Sequence, residues 1–160
     1  MIHVLDTSAL KWAYIPGSKH TRRCRYIVNR NAEPAYIAEI TFLEIVSPLG
    51  SEVRTNRMSV RDYDRANIQF LNDIADGKLR IYPLPASEYI PCRYLLTSIG
   101  IDRRRSLKAQ DGIVAYTALR LARENKTRVK LLTSDKGLAG VVRDIDLFSR
   151  LVKSEYLDPN

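Results

Sequence analysis

The chain has 160 residues, 45% of them hydrophobic and 28% charged, the balance of a single globular domain spanning residues 1–160 and too short for two comfortable ones. No apolar run is long enough to cross a bilayer, and the N-terminus lacks the basic-then-apolar layout of a signal peptide, so a cytoplasmic protein with no membrane association is expected. The formal net charge of +8 favours a polyanionic partner, nucleic acid first. Cys24, Cys92, His3 and His20 are too isolated for a disulfide, a zinc site or a catalytic triad.

Ile2 to Leu5 is an apolar run that stops at Asp6. Thr7 and Ser8 follow, and then an apolar helical pattern runs to Tyr14 before Pro16-Gly17. The pattern predicts a buried strand over 2–6 and a short helix. Asp6 then stands at the carboxyl end of a strand, the edge where open α/β sheets carry ligands and chemistry. A second helix is expected over 19–30, with Tyr26 and Ile27 on its apolar side and Arg22, Arg23 and Arg25 among the surrounding charges.

Residues 35–38 predict a short strand. The following helix start, Ile40 to Val46, is apolar nearly all round, which indicates burial. Glu44 falls on its apolar face and needs a partner there. A metal ion is one partner; a capping box with Thr41 as N-cap is the competing reading. Pro48-Leu49-Gly50 ends or bends that helix, and 51–58 reads as a polar turn. Ser59 opens an amphipathic helix to about Asp76, with Val60, Tyr63, Ile68, Leu71 and Ile74 as core contacts, closed by Gly77.

Leu79 to Leu84 predicts a strand, 86–99 a helix, and Gly100 to Arg105 a polar connection carrying Arg103, Arg104 and Arg105. The helix that follows runs to about Glu124. Its stripe of Ala115, Ala118, Leu119 and Ala122 suits close packing on a sheet, and Asp111 lies one turn before Ala115 on that stripe. Val129 to Thr133 predicts a strand. Asp135 stands at its end, at the start of a helix to about Ile145, repeating the arrangement of Asp6. Read singly, Asp6 and Asp135 are helix N-caps; on neighbouring parallel strands they share one sheet edge. In the last 15 residues, either Leu147 to Val152 or Tyr156-Leu157 forms a final strand, and Asp144 and Asp146 read as a surface turn.

Alternating strands and helices indicate a mainly parallel sheet with helices on both faces, a three-layer α/β/α fold. Four carboxylates, Asp6, Glu44, Asp111 and Asp135, come from two strand ends and two helices. Close together they cannot all stay ionised without cations, and hard oxygen donors favour Mg²⁺ or Mn²⁺. The chemistry that fits is phosphodiester hydrolysis by an activated water, which needs no nucleophilic side chain. Thr7, Ser8, Thr133 and Ser134 sit beside the acids to orient them or a water, with helix capping as the plain alternative.

Four stretches carry a resemblance: Leu5-Asp6-Thr7-Ser8-Ala9-Leu10, Ile40-Thr41-Phe42-Leu43-Glu44-Ile45, Leu107-Lys108-Ala109-Gln110-Asp111-Gly112-Ile113-Val114-Ala115 and Leu132-Thr133-Ser134-Asp135-Lys136-Gly137-Leu138. In order and spacing they resemble PIN-domain proteins, in particular the longer branch of the VapC-type toxin ribonucleases. The resemblance implies a PIN-like α/β/α fold and a Mg²⁺- or Mn²⁺-dependent endoribonuclease with Asp6, Glu44, Asp111 and Asp135 as metal-site acids. It also implies a homodimer and a cognate antitoxin. Gly112 departs from the family's more usual alanine, which loosens the start of that helix. Arg22, Arg23, Arg25 and Arg103 to Arg105 are the candidate contacts to RNA or an antitoxin. Two alternatives stand beside the toxin: an RNA-processing nuclease without an antitoxin, and an inactive PIN fold that binds RNA or protein.

Overall fold

The computed structural model describes residues 1–30, 33–103 and 107–159. Five parallel strands, β1 (Ile2–Leu5), β2 (Ala35–Ala38), β3 (Leu79–Tyr82), β4 (Val129–Thr133) and β5 (Val152–Tyr156), form one sheet in the order β3-β2-β1-β4-β5. The helices are α1 (Thr7–Tyr14), α2 (Thr21–Val28), α3 (Glu39–Glu44), α4 (Val46–Arg54), α5 (Val60–Ala75), α6 (Tyr89–Arg103), α7 (Ala109–Glu124), α8 (Lys136–Asp144) and α9 (Asp146–Ser149).

The period-2 alternation of each strand divides the core into two layers. Leu5, Ile37 and Leu132 pack on one face with Leu10, Leu49 and Phe70 from α1, α4 and α5. Val4, Ala38 and Leu131 pack on the other with Leu119 of α7, Leu138 of α8 and Phe148 of α9. Buried on both faces, the strands read as apolar runs rather than alternating ones. Each fully buried Leu or Ile here contributes roughly 1.5–3 kcal/mol.

Several expectations change. Thr41 is not an N-cap: α3 already begins at Glu39, capped by the Ala38 backbone without a side-chain hydrogen bond. Thr41 is instead buried, and its hydroxyl has no hydrogen-bond partner among the described residues. Leu43 and Val46 are exposed rather than in the core, while Ile45 between them is buried. Residues 51–54 are the last part of α4, not turn. In α5, Ser59 caps as expected, accepting from the Asp62 backbone at 3.1 Å. Its buried face, however, is Ala66, Phe70 and Asp73, while Val60, Ile68 and Leu71 are exposed. Tyr26 is exposed too, leaving Cys24, Ile27 and Val28 as the inner face of α2.

Helix α6 continues through Gly100 to Arg103 where a polar connection is expected. The last strand is β5, preceded by the short α9, so neither expected position for it holds. Its run Val-Lys-Ser-Glu-Tyr carries little apolar signal because Glu155 is recruited for charge. Arg23 donates both to its carboxylate, at 2.7 and 2.8 Å, and Lys130 of the neighbouring strand lies 3.2 Å away.

Two predictions follow from this packing. A Cβ on Gly112 would lie 2.2 Å from Leu96 Cδ2 and 2.9 Å from its Cγ, so the glycine lets α6 approach α7. Gly112→Ala should destabilise by about 1–3 kcal/mol through overpacking, despite alanine's better helix propensity. Adding Leu96→Ala should relieve the clash term in denaturant titrations. Glu155 is held down to about 2, first by the Arg23 hydrogen bond and then by Lys130. Its folded pKa is thus depressed, so its contribution is present above the ordinary carboxylate range and is lost as pH falls through about 2. Solvent screening at the half-exposed Arg23 limits it to about 1 kcal/mol. Glu155→Gln should lower stability by that amount at pH 7 and bring the two proteins together near pH 2 in urea titrations.

Candidate metal centre

From β1 the chain moves outward to β2 and β3, then crosses back to β4 and β5 on the other side. The order therefore switches at the β1–β4 pair, where open α/β sheets form a crevice beyond the strands' carboxyl ends. A cleft of about 410 Å³ opens there, lined by Asp6, Glu44, Asp111 and Asp135 together with Thr7, Ser8, Ser47, Lys108 and Gln110. All four acids singled out in the sequence face the same space.

Strand register puts Leu5 opposite Leu132, so Asp6 falls beside Thr133. Asp6 caps α1, accepting from the Ala9 backbone at 2.7 Å. It also accepts from Ser8 Oγ at 2.8 and 3.0 Å and from Thr133 Oγ1. Asp135 caps α8 through the Leu138 backbone at 2.9 Å, and its own N–H donates to Thr133 Oγ1 at 2.8 Å. One threonine hydroxyl thus ties the two strand-end acids together. Ser8 Oγ also receives the Ser134 N–H at 2.7 Å, and Ser134 Oγ receives Trp12 Nε1 at 3.1 Å. Thr7 Oγ1 donates to Glu44 Oε2 at 2.7 Å. The caps are therefore the acids themselves, and the hydroxyls of Thr7, Ser8 and Thr133 hold carboxylates. Ser134 braces Ser8 rather than an acid.

Among the described residues two aspartates are buried, and they are answered differently. Asp73 receives Arg25 Nη1 at 2.6 Å, Tyr14 Oη at 3.0 Å and Gln69 Nε2 at 2.9 Å, with Lys78 Nζ 3.9 Å away. Asp6 has only neutral donors. Burial raises its pKa to about 6 against the pull of those hydrogen bonds, and the nearby charge of Asp111 raises it further. Asp111 is raised as well, by burial and then by Asp135 and Glu44, with Lys108 opposing. A buried carboxylate with neutral donors and like-charged neighbours lacks a cation.

The donor set fits a hard divalent ion. Mg²⁺ and Mn²⁺ bind through a few carboxylates and keep several waters, and Asp6, Glu44, Asp111 and Asp135 supply only oxygen. The fit is of a cleft, not of a finished coordination shell: among the described residues no three His, Cys, Asp or Glu side chains close on a single point.

The arginines sort differently from the acids. Arg23 is spent on Glu155, and Arg25 on Asp73 and Asn29. Arg22 is exposed, and none of the three lines the cleft. Arg104 and Arg105 lie outside the described residues, as does the side chain of Arg103. Lys108, Gln110 and Ser47 are cleft residues that the sequence reading passed over. Lys108 stood in plain view, three residues before Asp111, but spacing to an acid carries no signal for a cation. Asp144 and Asp146 do not line the cleft, and Cys24 and Cys92 are free and buried, as expected.

Removing the unanswered charge should stabilise the ion-free protein. Asp6→Asn keeps Oδ1 as acceptor for Ala9 and Ser8, puts a donor in place of the oxygen that faces Thr133, whose hydroxyl can accept from it, and relieves the burial of a carboxylate. In EDTA at pH 7 it should be more stable than the parent by about 1–3 kcal/mol. Millimolar Mg²⁺ or Mn²⁺ should raise the parent's Tm and leave that of Asp6→Asn unchanged. Equal shifts in both proteins would remove Asp6 from the ion's ligands.

No family model and no curated protein matches this chain. Solved structures do. VapBC2 from Rickettsia felis, bound to a DNA fragment from their promoter, aligns with a TM-score of 0.61 and 16% identity, over 99% of this chain and 100% of that one. FitAcB from Neisseria gonorrhoeae aligns with a TM-score of 0.59 and 18% identity, over 96% of each chain. PAE2754 from Pyrobaculum aerophilum aligns with a TM-score of 0.53 and 17% identity, over 88% of this chain and 84% of that one. What is common at such identities is the fold: the chain has the three-layer α/β/α architecture of these structures, and the PIN-like, VapC-type resemblance of its four motifs is borne out at that level.

Proposed function

We propose that the protein is a Mg²⁺- or Mn²⁺-dependent endoribonuclease that hydrolyses RNA phosphodiester bonds in the cytoplasm, as the toxin of a toxin–antitoxin pair. The observation that carries this is the buried Asp6, without a cation of its own, in a cleft shared with Glu44, Asp111 and Asp135. A divalent ion held by these acids would supply Lewis-acid activation of a water for attack on phosphorus and stabilise the leaving oxygen. The chain's own residues do the positioning. Ser8 and Thr133 fix both oxygens of Asp6, Thr7 fixes Glu44, and the Thr133 hydroxyl locks Asp135 to the same edge. No side chain is needed as a nucleophile, which agrees with buried, unreactive cysteines whose thiols are pushed up by burial, Cys24 to about 12.

The toxin assignment rests on the resemblance and on the shared fold with VapBC2 and FitAcB. Surface chemistry supports protein partners, a second copy of the chain and an antitoxin. Ile90, Tyr94 and Ile101 stand exposed along one face of α6, and Val60, Ile68 and Leu71 along one face of α5. No helix among the described residues is long and apolar enough to cross a membrane. The inactive binding module remains a second reading because the acids do not close on one point.

Ion-stripped protein, incubated with structured RNAs, should cleave when Mg²⁺ or Mn²⁺ is restored and not in EDTA. Asp6→Asn and Glu44→Gln should each lower the rate on the order of 100-fold or more. Cleavage by Asp6→Asn at the parental rate would refute the site. RNA binding without cleavage under every condition would favour the binding module.

A further inference from the structure

The cleft that gathers the acids also holds one basic side chain. Lys108 lines it beside Asp6, Glu44, Asp111 and Asp135. It is the N-cap residue of α7, with φ −61° and ψ 150°, and its side chain makes no capping hydrogen bond. It is exposed, with no ion-pair partner among the described residues. Among the described residues, two lysines of the helices capped by Asp6 and Asp135 have other contacts. Lys11 pairs with Glu52 at 3.4 Å and lies over the Trp12 ring at 4.3 Å, and Lys136 stands 5.7 Å from the centre of the Tyr156 ring.

A lysine is out of place in a site that only holds cations, because it competes with them. It has a use if the site also receives an anion. The four acids repel a polyanionic strand at the cleft mouth, and one divalent ion offsets only half of their charge. A further fixed cation then decides whether the strand can enter. Lys108 has the right form: a compact charge on a flexible four-carbon stem, suited to following one phosphate rather than forking two oxygens. Gln110, exposed on the next turn and lining the same cleft, adds an uncharged amide donor.

We propose that Lys108 is a substrate contact of the cleft, its ammonium pairing with a phosphate of the RNA strand as the strand lies across the four acids. The proposal rests on the nuclease reading above. It assigns to Lys108 a role in strand entry and in holding the phosphate near the acids, and none in binding the divalent ion.

The test is a salt titration of RNA affinity, independent of turnover. A fluorescent single-stranded RNA is titrated with Asp6→Asn protein, which blocks hydrolysis, from low to moderate salt. Adding Lys108→Gln should weaken binding by about three- to tenfold. It should also make the log K against log salt slope shallower by about 0.7, the loss of one phosphate contact on a single strand. Lys108→Arg should keep the slope. Lys126→Gln removes the same charge at the far end of α7, about 24 Å along the helix axis, and should change neither quantity. In the otherwise parental protein, Lys108→Gln should lower kcat/KM about tenfold, chiefly through KM, with the Mg²⁺-induced Tm shift at least as large as in the parent. An unchanged slope, or an equal change in Lys126→Gln, overturns the assignment to Lys108 and leaves the nuclease reading standing. Failure of the parental chain both to bind and to cleave RNA overturns the nuclease reading and the Lys108 contact with it.

Discussion

A carboxylate at the end of the central strand is the constraint on which the site depends. Asp6 follows β1, the central strand of the five, so its side chain is enclosed wherever the sheet is intact. Hydrogen bonds from neutral groups temper that burial but do not neutralise it. The local sequence is arranged around the problem. Ser8 and Ala9 answer the carboxylate from its own helix, and Thr133 answers it from β4. Thr133 can do so only because the register sets Leu5 against Leu132. Sheet pairing and site geometry are therefore one requirement: a slip of β4 by one residue would turn Thr133 away and leave Asp6 with its own helix alone.

Asp73 shows that this chain can bury an aspartate comfortably when only stability is at stake. Arg25, Tyr14, Gln69 and Lys78 converge on it from four elements or their edges, the full pairing that a buried charge needs to avoid a large penalty. The same pairing would be easy to provide at Asp6 in a sequence with 26 lysines and arginines. Its absence beside three further acids makes the deficit of positive charge specific to the cleft. A bound cation, as proposed, would offset that deficit.

The two strand-end acids were legible because the signal is local: an apolar run, then Asp, then a helical pattern, twice. Parallel pairing converts that repeat into proximity without further information. Asp111 was legible because it interrupts a small-residue stripe that is buried as expected, from Ala115 to Ala122. Glu44 was found on the resemblance and on its apolar neighbours, yet the reasoning about those neighbours was wrong. Leu43 and Val46 are exposed, while Ile45 between them is buried. Helix α5 fails in the same way. Tyr63 and Ile74 do pack on the core, but Val60, Ile68 and Leu71 are exposed, because the buried face is set by what the helix lies on, here Ala66, Phe70 and Asp73. Strand β5 escaped altogether because an edge strand held partly by Arg23, Lys130 and Glu155 does not need an apolar run.

The arginines carry the sharper lesson about charge. Net charge, summed over a sequence, describes the field far from the molecule, where a balance of +8 attracts a polyanion whatever each residue does at home. It does not identify the contacts. Arg23 fastens α2 to β5, and Arg25 fastens it to the base of α5, so two of the arginines that look like a binding face are braces. The cation that faces the acids comes instead from the stretch Leu107 to Asp111, where the sequence shows one lysine among small and polar residues. Long-range attraction and local contact are thus carried by different residues, and under the proposed function only the second kind would set which phosphate of a strand comes to rest over the acids.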